Sequence, residues 1–226
     1  MLRNTRWDKL SMQRNVLRRV IYRFDAFLSR QYGIFPFSDD PDCILRLQKT
    51  HASHRLALPG LALEPGDAVV GFHLWNERMP PMPKEGASLG WAAHTRRLFF
   101  YSLRLAADAI RADEEMRQSR ALSGATSIFT PGLKDNGAIF FKQAGFIVAP
   151  YYRPLGAFGE FWENFYSWWI IWAYNPGGLK GLGLGHMRRT EIWIAMGEFL
   201  ERYGSKEPAS QPGQVAPVRG LPGISA

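Results

Sequence analysis

The stretch Pro65-Gly66-Asp67-Ala68-Val69-Val70-Gly71-Phe72-His73-Leu74-Trp75-Asn76-Glu77-Arg78 carries the clearest structural signal in the chain. Pro-Gly-Asp is turn chemistry. Val69, Val70, Phe72, Leu74 and Trp75 then suit a half-buried pleated strand. Just upstream, Leu56, Leu58, Leu61 and Leu63 flank Pro59-Gly60, a second turn signal, so β structure is expected over 55–78.

Working outward, residues 79–87 form a loop rich in Pro and Gly. A long helix is expected from Leu89 to Glu115, with Leu98, Tyr101, Leu105, Ala109 and Met116 on its buried side. A strand at 125–130, a helix at 135–144 stopped by Gly145 and a strand at 146–149 follow. An aromatic helix at 157–174 ends at Pro176-Gly177-Gly178, and a Gly-rich loop at 177–185 leads to a last helix at 188–203. Upstream, the turn Asp39-Asp40-Pro41-Asp42 opens a short helix at 42–48. Residues 9–31 form an amphipathic helix, with Leu17, Val20, Ile21, Phe24, Phe27 and Leu28 at helical spacing. This order predicts an α+β fold: a small central mixed or antiparallel sheet packed by a long helix, with amphipathic helices near both ends. A single domain is expected over 1–204. The Pro/Gly/Ser-rich tail 205–226 is expected to be extended, disordered or held by a partner.

Composition narrows the class. With 226 residues, 46% of them hydrophobic, the chain can build a sizeable core unaided by disulfides. Cys43 is the only cysteine, which fits a reducing compartment, and its expected role is a buried structural one. No run reaches the ~18–20 apolar residues of a spanning helix. No signal-type apolar stretch follows the charged N-terminus. The expected location is therefore cytoplasmic, peripheral to the inner membrane. The net charge of +8 favours polyanionic partners, and the excess is concentrated in residues 1–30, where eight Arg and Lys face only Asp8 and Asp25. No nucleic-acid recognition motif accompanies it, and the basic helix looks amphipathic rather than base-reading, so an anionic membrane surface or a membrane-protein complex is the expected partner.

Three groups of residues could carry function. In an extended strand His73, Trp75 and Glu77 share one face, so His73 and Glu77 are candidates for an acid/base pair, with Asn76 and Arg78 completing a polar cluster. The plainer reading is a satisfied histidine beside turn-capping polar groups. Second, the loop holding Gly86 and Gly90 opens the long helix that carries His94, Arg96, Arg97, Ser102 and Arg104. Gly86, Gly90, Arg96 and Arg97 are candidates to hold a phosphate at a helix N-terminus, against a plainer solvated face. Third, Phe161, Phe165, Trp168, Trp169 and Trp172 form an aromatic stripe, with Trp suited to the water–lipid boundary. Together with Arg14, Arg18, Arg19 and Arg23 on the basic helix, Trp168, Trp169 and Trp172 are the candidate membrane or partner contacts, core packing being the alternative. The five histidines form no metal signature, and no cofactor is expected from the residues themselves.

The order of motifs resembles the YkoP-like domain family over roughly residues 24–203. The carriers are Asp40-Pro41, Leu58-Pro59-Gly60, Pro65-Gly66-Asp67, His73-Leu74-Trp75-Asn76-Glu77, Ser102-Leu103-Arg104, Gly124 to Thr126, Gly145-Phe146 and Asn175-Pro176. The resemblance implies a poorly characterised bacterial protein with envelope links and supplies no catalytic residue. The middle of the chain is more faintly similar to the GNAT-type N-acyltransferase superfamily, through segments 68–75, 85–90, 91–115, 125–130 and the run Asn136 to Phe146. That similarity implies acyl-CoA as the group donor. The leading expectation is a peripheral membrane-associated accessory or scaffold protein of the bacterial envelope. The alternative is a GNAT-like acyltransferase acting on a lipid or sugar precursor.

Overall fold

A computed structural model describes residues 5–129, 136–152, 156–180 and 188–205. The strand read from Ala68 is present as β5 (Ala68–Leu74) and lies inside a six-stranded sheet. The other strands are β1 (Ile34–Phe35), β2 (Leu45–His51), β6 (Ala121–Phe129), β7 (Ile147–Pro150) and β8 (Arg188–Ala195), in the order β1-β2-β5-β6-β8-β7. A separate hairpin, β3 (Leu56–Leu58) with β4 (Leu61–Leu63), turns at Pro59-Gly60 as expected, with Gly60 at φ 72°. The helices are α1 (Thr5–Gln31), α2 (Leu89–Ala112), α3 (Glu114–Gln118), α4 (Asn136–Gln143), α5 (Gly156–Tyr174) and α6 (Met196–Tyr203). The fold is α+β, and no helix among the described residues is long and apolar enough to cross a membrane.

Two expected helices are strands. Residues 42–48 were expected to be helical, but β2 begins at Leu45 and pairs antiparallel with β5 from Leu45↔Leu74 to His51↔Ala68. Residues 188–195, expected to be helical, form β8, which runs antiparallel between β6 and β7. The last helix is therefore only Met196–Tyr203. In both segments a short apolar run fits either period, and the sheet's open backbone donors decide in favour of a strand. The long helix also ends earlier than expected. Asp113 leaves the helical conformation and its side chain accepts from Met116 N at 2.9 Å, capping α3.

One face of the sheet packs α2, α4 and α6. Leu47, Val70, Phe72, Leu122, Ile192 and Ile194 meet Leu103, Ile110, Phe141 and Phe199 in one apolar core. The buried face of α2 is offset from the expected one. Leu98 and, on α3, Met116 are buried as expected, but Tyr101, Leu105 and Ala109 are only half-buried, and Phe99, Ser102, Leu103, Ala106 and Ile110 take the core positions. Ser102 docks the helix: its Oγ accepts from Ile44 N at 2.8 Å and donates to Leu98 O at 2.8 Å. Cys43 is buried beside this contact.

β5 and β6 are the one parallel pair among the described strands, joined through α2 and α3, as a parallel connection requires. Their ladder covers only Val69↔Ala121, Val70↔Leu122 and Gly71↔Ser123, although β5 runs on to Leu74 and β6 to Phe129. Beyond the ladder the Phe72 ring lies against Gly124, where an added Cβ would meet it at 2.7 Å.

Candidate functional site

Alternate residues of a strand point to opposite faces. The strands that give Leu47, Phe72 and Ile192 to the core therefore give Arg46, Gln48, His73, Arg189 and Glu191 to the other side. The β3–β4 hairpin closes the far end of this second face, where Leu58 and Leu63 pack with Val69, Ala121 and Trp193. α1 and α5 roof the near end, joined through Ile21, Ile170 and Ala173 and by Tyr22 OH donating to Ala173 O at 3.1 Å. Between this roof and the sheet lies a cleft of about 1070 Å³.

A buried polar network forms its inner wall. Asp25 occupies the inward face of α1 and is 5% exposed. It accepts from Tyr166 OH at 2.7 Å and Tyr174 OH at 3.3 Å, both on α5. Burial first, and then the neighbouring carboxylates, push both hydroxyls above their ordinary pKa, so both remain donors. Arg46 on β2 is 9% exposed and its Nη2 lies 3.9 Å from Asp25 Oδ2, an ion pair too long for a hydrogen bond. Its Nε is buried with no hydrogen-bond partner among the described residues. Arg189 also lines the cleft, with Nη2 donating to Glu163 O and Ser167 Oγ, each at 2.7 Å.

His73 lies beside Arg46, its register partner across β2 and β5. Burial, and then the Arg46 charge, push His73 down to about 4, so it is neutral at pH 7. Its Nε2 is 2.8 Å from Gln48 Oε1, while Gln48 Nε2 donates to Tyr32 O at 2.8 Å. That second bond fixes the Gln48 amide with its oxygen toward the ring, so His73 Nε2 carries the proton and donates. The Nδ1 lone pair is left as a weak base.

The expected His73–Glu77 pair does not lie on one strand face. β5 ends at Leu74, and Asn76–Arg78 turn into a 3-10 helix. Glu77 is exposed and, at 3.2 Å, shares the single Tyr174 O–H with Asp25 instead. Asn76 lines the cleft. Arg78 is a structural clamp: Nη1 donates to Asp40 O and, at 3.4 Å, to Ser38 O and Cys43 O, while the guanidinium covers the Trp75 ring at 3.7 Å. The four phosphate candidates do not converge. Gly86 lines the cleft, at φ 99°, but Gly90 is exposed in the first turn of α2. Arg96 and Arg97 are exposed farther along α2, Arg96 over Phe100 and Arg97 3.2 Å from His94 Nδ1.

The candidate surface contacts divide. Arg19 and Arg23 are exposed, whereas Arg18 is half-buried over Trp172 at 5.7 Å. Arg14 lies outside the residues whose side chains are described. Trp168, Trp169 and Trp172 are half-buried, and the last two pack around Ile21 and Ile170. The outward aromatics of α5 are instead Phe158, Phe161 and Trp162, at 73%, 55% and 51% exposure.

Sequence reasoning missed Asp25, Arg46, Gln48, Tyr166, Tyr174 and Arg189 as site residues. A signal existed for Asp25, an acid on the buried side of an apolar helical stripe. Reading 42–48 as helix hid the alternation that sends Arg46 and Gln48 to the cleft. A second buried carboxylate, Glu191, lies farther along the same face, accepting from Trp193 Nε1 and Tyr152 N, each at 2.9 Å, with His54 Nε2 at 3.5 Å. No family model, curated protein or solved structure matches this chain.

Proposed function

We propose that this chain is a peripheral protein of an anionic membrane surface, serving the bacterial envelope or a membrane complex and docking through the outer sides of α1 and α5. One observation carries this reading: most of the apolar stripe of α1 stays exposed, beside a buried face of Ile21, Asp25 and Ser29. Val16, Val20, Phe24 and Phe27 recur at four- and three-residue steps and are 56%, 52%, 43% and 52% exposed. Exposed Arg19, Arg23 and Arg30 run alongside as a basic row, and the outward aromatics of α5 extend the apolar surface. An apolar stripe flanked by arginines is the pattern of a helix lying in the headgroup boundary. Each basic residue near such a surface contributes about 1 kcal/mol, so Arg19→Glu/Arg23→Glu should weaken binding to phosphatidylglycerol vesicles at least ~30-fold. Flotation at low and high salt measures this. No binding of the parent chain at low salt, or equal binding by the variant, would remove the reading.

A second reading, a GNAT-like acyltransferase acting on a lipid or sugar precursor, is favoured by the β5–β6 pair. The parallel ladder ends after three registers, and residues just beyond it, Leu74 on β5 with Ala125 and Thr126 on β6, line the cleft. That geometry supports a chain-like acyl group entering beside the strands. The scattered positions of Gly90, Arg96 and Arg97 do not fit a grip on the phosphates of acyl-CoA. Calorimetry with acetyl-CoA and a long-chain acyl-CoA tests it, and absence of heat with both ends it.

A further inference from the structure

We propose that the cleft under α1 and α5 binds a single-chain amphiphile with an anionic head, anchored by Arg46. The chemistry of Arg46 points to it. A guanidinium taken out of water costs several kcal/mol unless paired and hydrogen-bonded. Arg46 is 9% exposed, its Nε has no partner among the described residues, and its nearest carboxylate stands 3.9 Å away. Asp25 is held at that distance, turned toward the Tyr166 hydroxyl at 2.7 Å and sharing the Tyr174 hydroxyl with Glu77. Arg46 thus lines the cleft with one donor unpaired and no carboxylate within hydrogen-bond reach among the described residues, a setting in which a ligand carboxylate or phosphate would make short, charge-assisted bonds.

The surroundings suit such a ligand. The volume of about 1070 Å³ lies just above the ~300–1,000 Å³ range of small-molecule sites, leaving room for a chain. Leu28, Met79, Met82, Phe165, Trp169 and Ile171 supply apolar wall for a hydrocarbon chain. The lining carries Arg46, Arg189 and Lys180 against Asp25 and Glu163, with Arg189 3.7 Å from Glu163, and His73 is neutral, so the charge balance favours an anion. Phe24, Tyr32 and Trp162 line the cleft while remaining exposed, which places an apolar mouth on the same outer surface proposed to meet lipid. Loading from a membrane rests on that earlier reading; binding of a dissolved amphiphile does not.

The test is calorimetric titration of the full chain with dodecanoate and dodecyl phosphate, each below its micelle concentration, and with 1-dodecanol below its solubility limit. The expected result is saturable 1:1 binding of at least one of the two anions, at least tenfold tighter than the alcohol. The tighter of the two names the head group. Arg46→Gln is expected to erase the preference for the anion, with Arg46→Lys retaining part of it. Ile171→Trp, which fills the apolar wall, is expected to weaken all three ligands, and it tests the cleft should Arg46→Gln fail to fold. Binding by neither anion, equal affinity for alcohol and anions, or unchanged affinity for the tighter anion in a folded Arg46→Gln or Ile171→Trp chain overturns the proposal. Vesicle binding lost with cleft binding intact sinks only the membrane reading.

Discussion

The two faces of one sheet are built from alternate residues of the same strands, and they could hardly differ more. Toward α2, α4 and α6 stand Leu47, Phe72, Leu122, Ile192 and Ile194, with Phe72 and Phe146 rings 5.6 Å apart and Ser102 satisfied by two backbone groups. Toward α1 and α5 stand Arg46, His73 and Arg189, under helices whose outer sides carry Val20, Phe27 and Phe158 in solvent. The first face follows the rule for making a core. The second breaks it twice, burying charge inside and exposing aromatics outside. Buried charges weaken a fold unless well paired, and they are concentrated on the side we propose for binding.

The contrast can be broken by measurement. The largest effect is expected from the apolar face: Leu103, 0% exposed, loses about 2–5 kcal/mol on substitution by Ala, read from urea unfolding. A smaller effect belongs to His73. The unfolded chain protonates it near 6.5 and the folded chain only near 4, so the unfolded state binds the extra proton between those values. Stability contributed by neutral His73 is full above about 6.5 and falls away as pH drops toward 4. His73→Gln, which can still donate to Gln48, should flatten that acid-side decline; an unchanged pH slope would show that His73 is not held neutral. The smallest effect is expected from Asp25→Leu/Arg46→Met/Tyr166→Phe, which removes both buried charges together with the hydroxyl that donates to Asp25 and should leave stability within about 1 kcal/mol of the parent, or raise it. A loss as large as that of Leu103→Ala would mean the polar face is a structural core after all.

Much of the fold was legible where one periodicity dominated. β5 announced itself through Val69, Val70 and Phe72, α4 through its Gly145 stop at φ 90°, and α5 through its aromatic spacing and the Pro176 break. It was illegible where a short segment fits both periods. Arg188-Arg189-Thr190-Glu191 resembles the polar start of a helix, yet Glu191 is 7% exposed within a strand. The cleft was hidden for a different reason. Asp25 and Tyr166 lie 141 positions apart, and Arg46 meets Asp25 only after β2 and α1 are assembled. No local spacing encodes such a juxtaposition. The surface reading was half legible: the basic row and aromatic richness were visible, but which tryptophans turn inward depended on how α1 and α5 meet.

The central claim is that the α1/α5 side meets lipid while the α2 side does not. Cys43 is buried, so an introduced surface cysteine can be labelled selectively. An environment-sensitive fluorophore placed by Phe27→Cys or Phe158→Cys should shift to the blue and gain intensity on adding phosphatidylglycerol vesicles, while the same label at Arg104→Cys, on exposed α2 surface, should not respond. Silence at both Phe27 and Phe158, or an equal response at Arg104, would contradict the account.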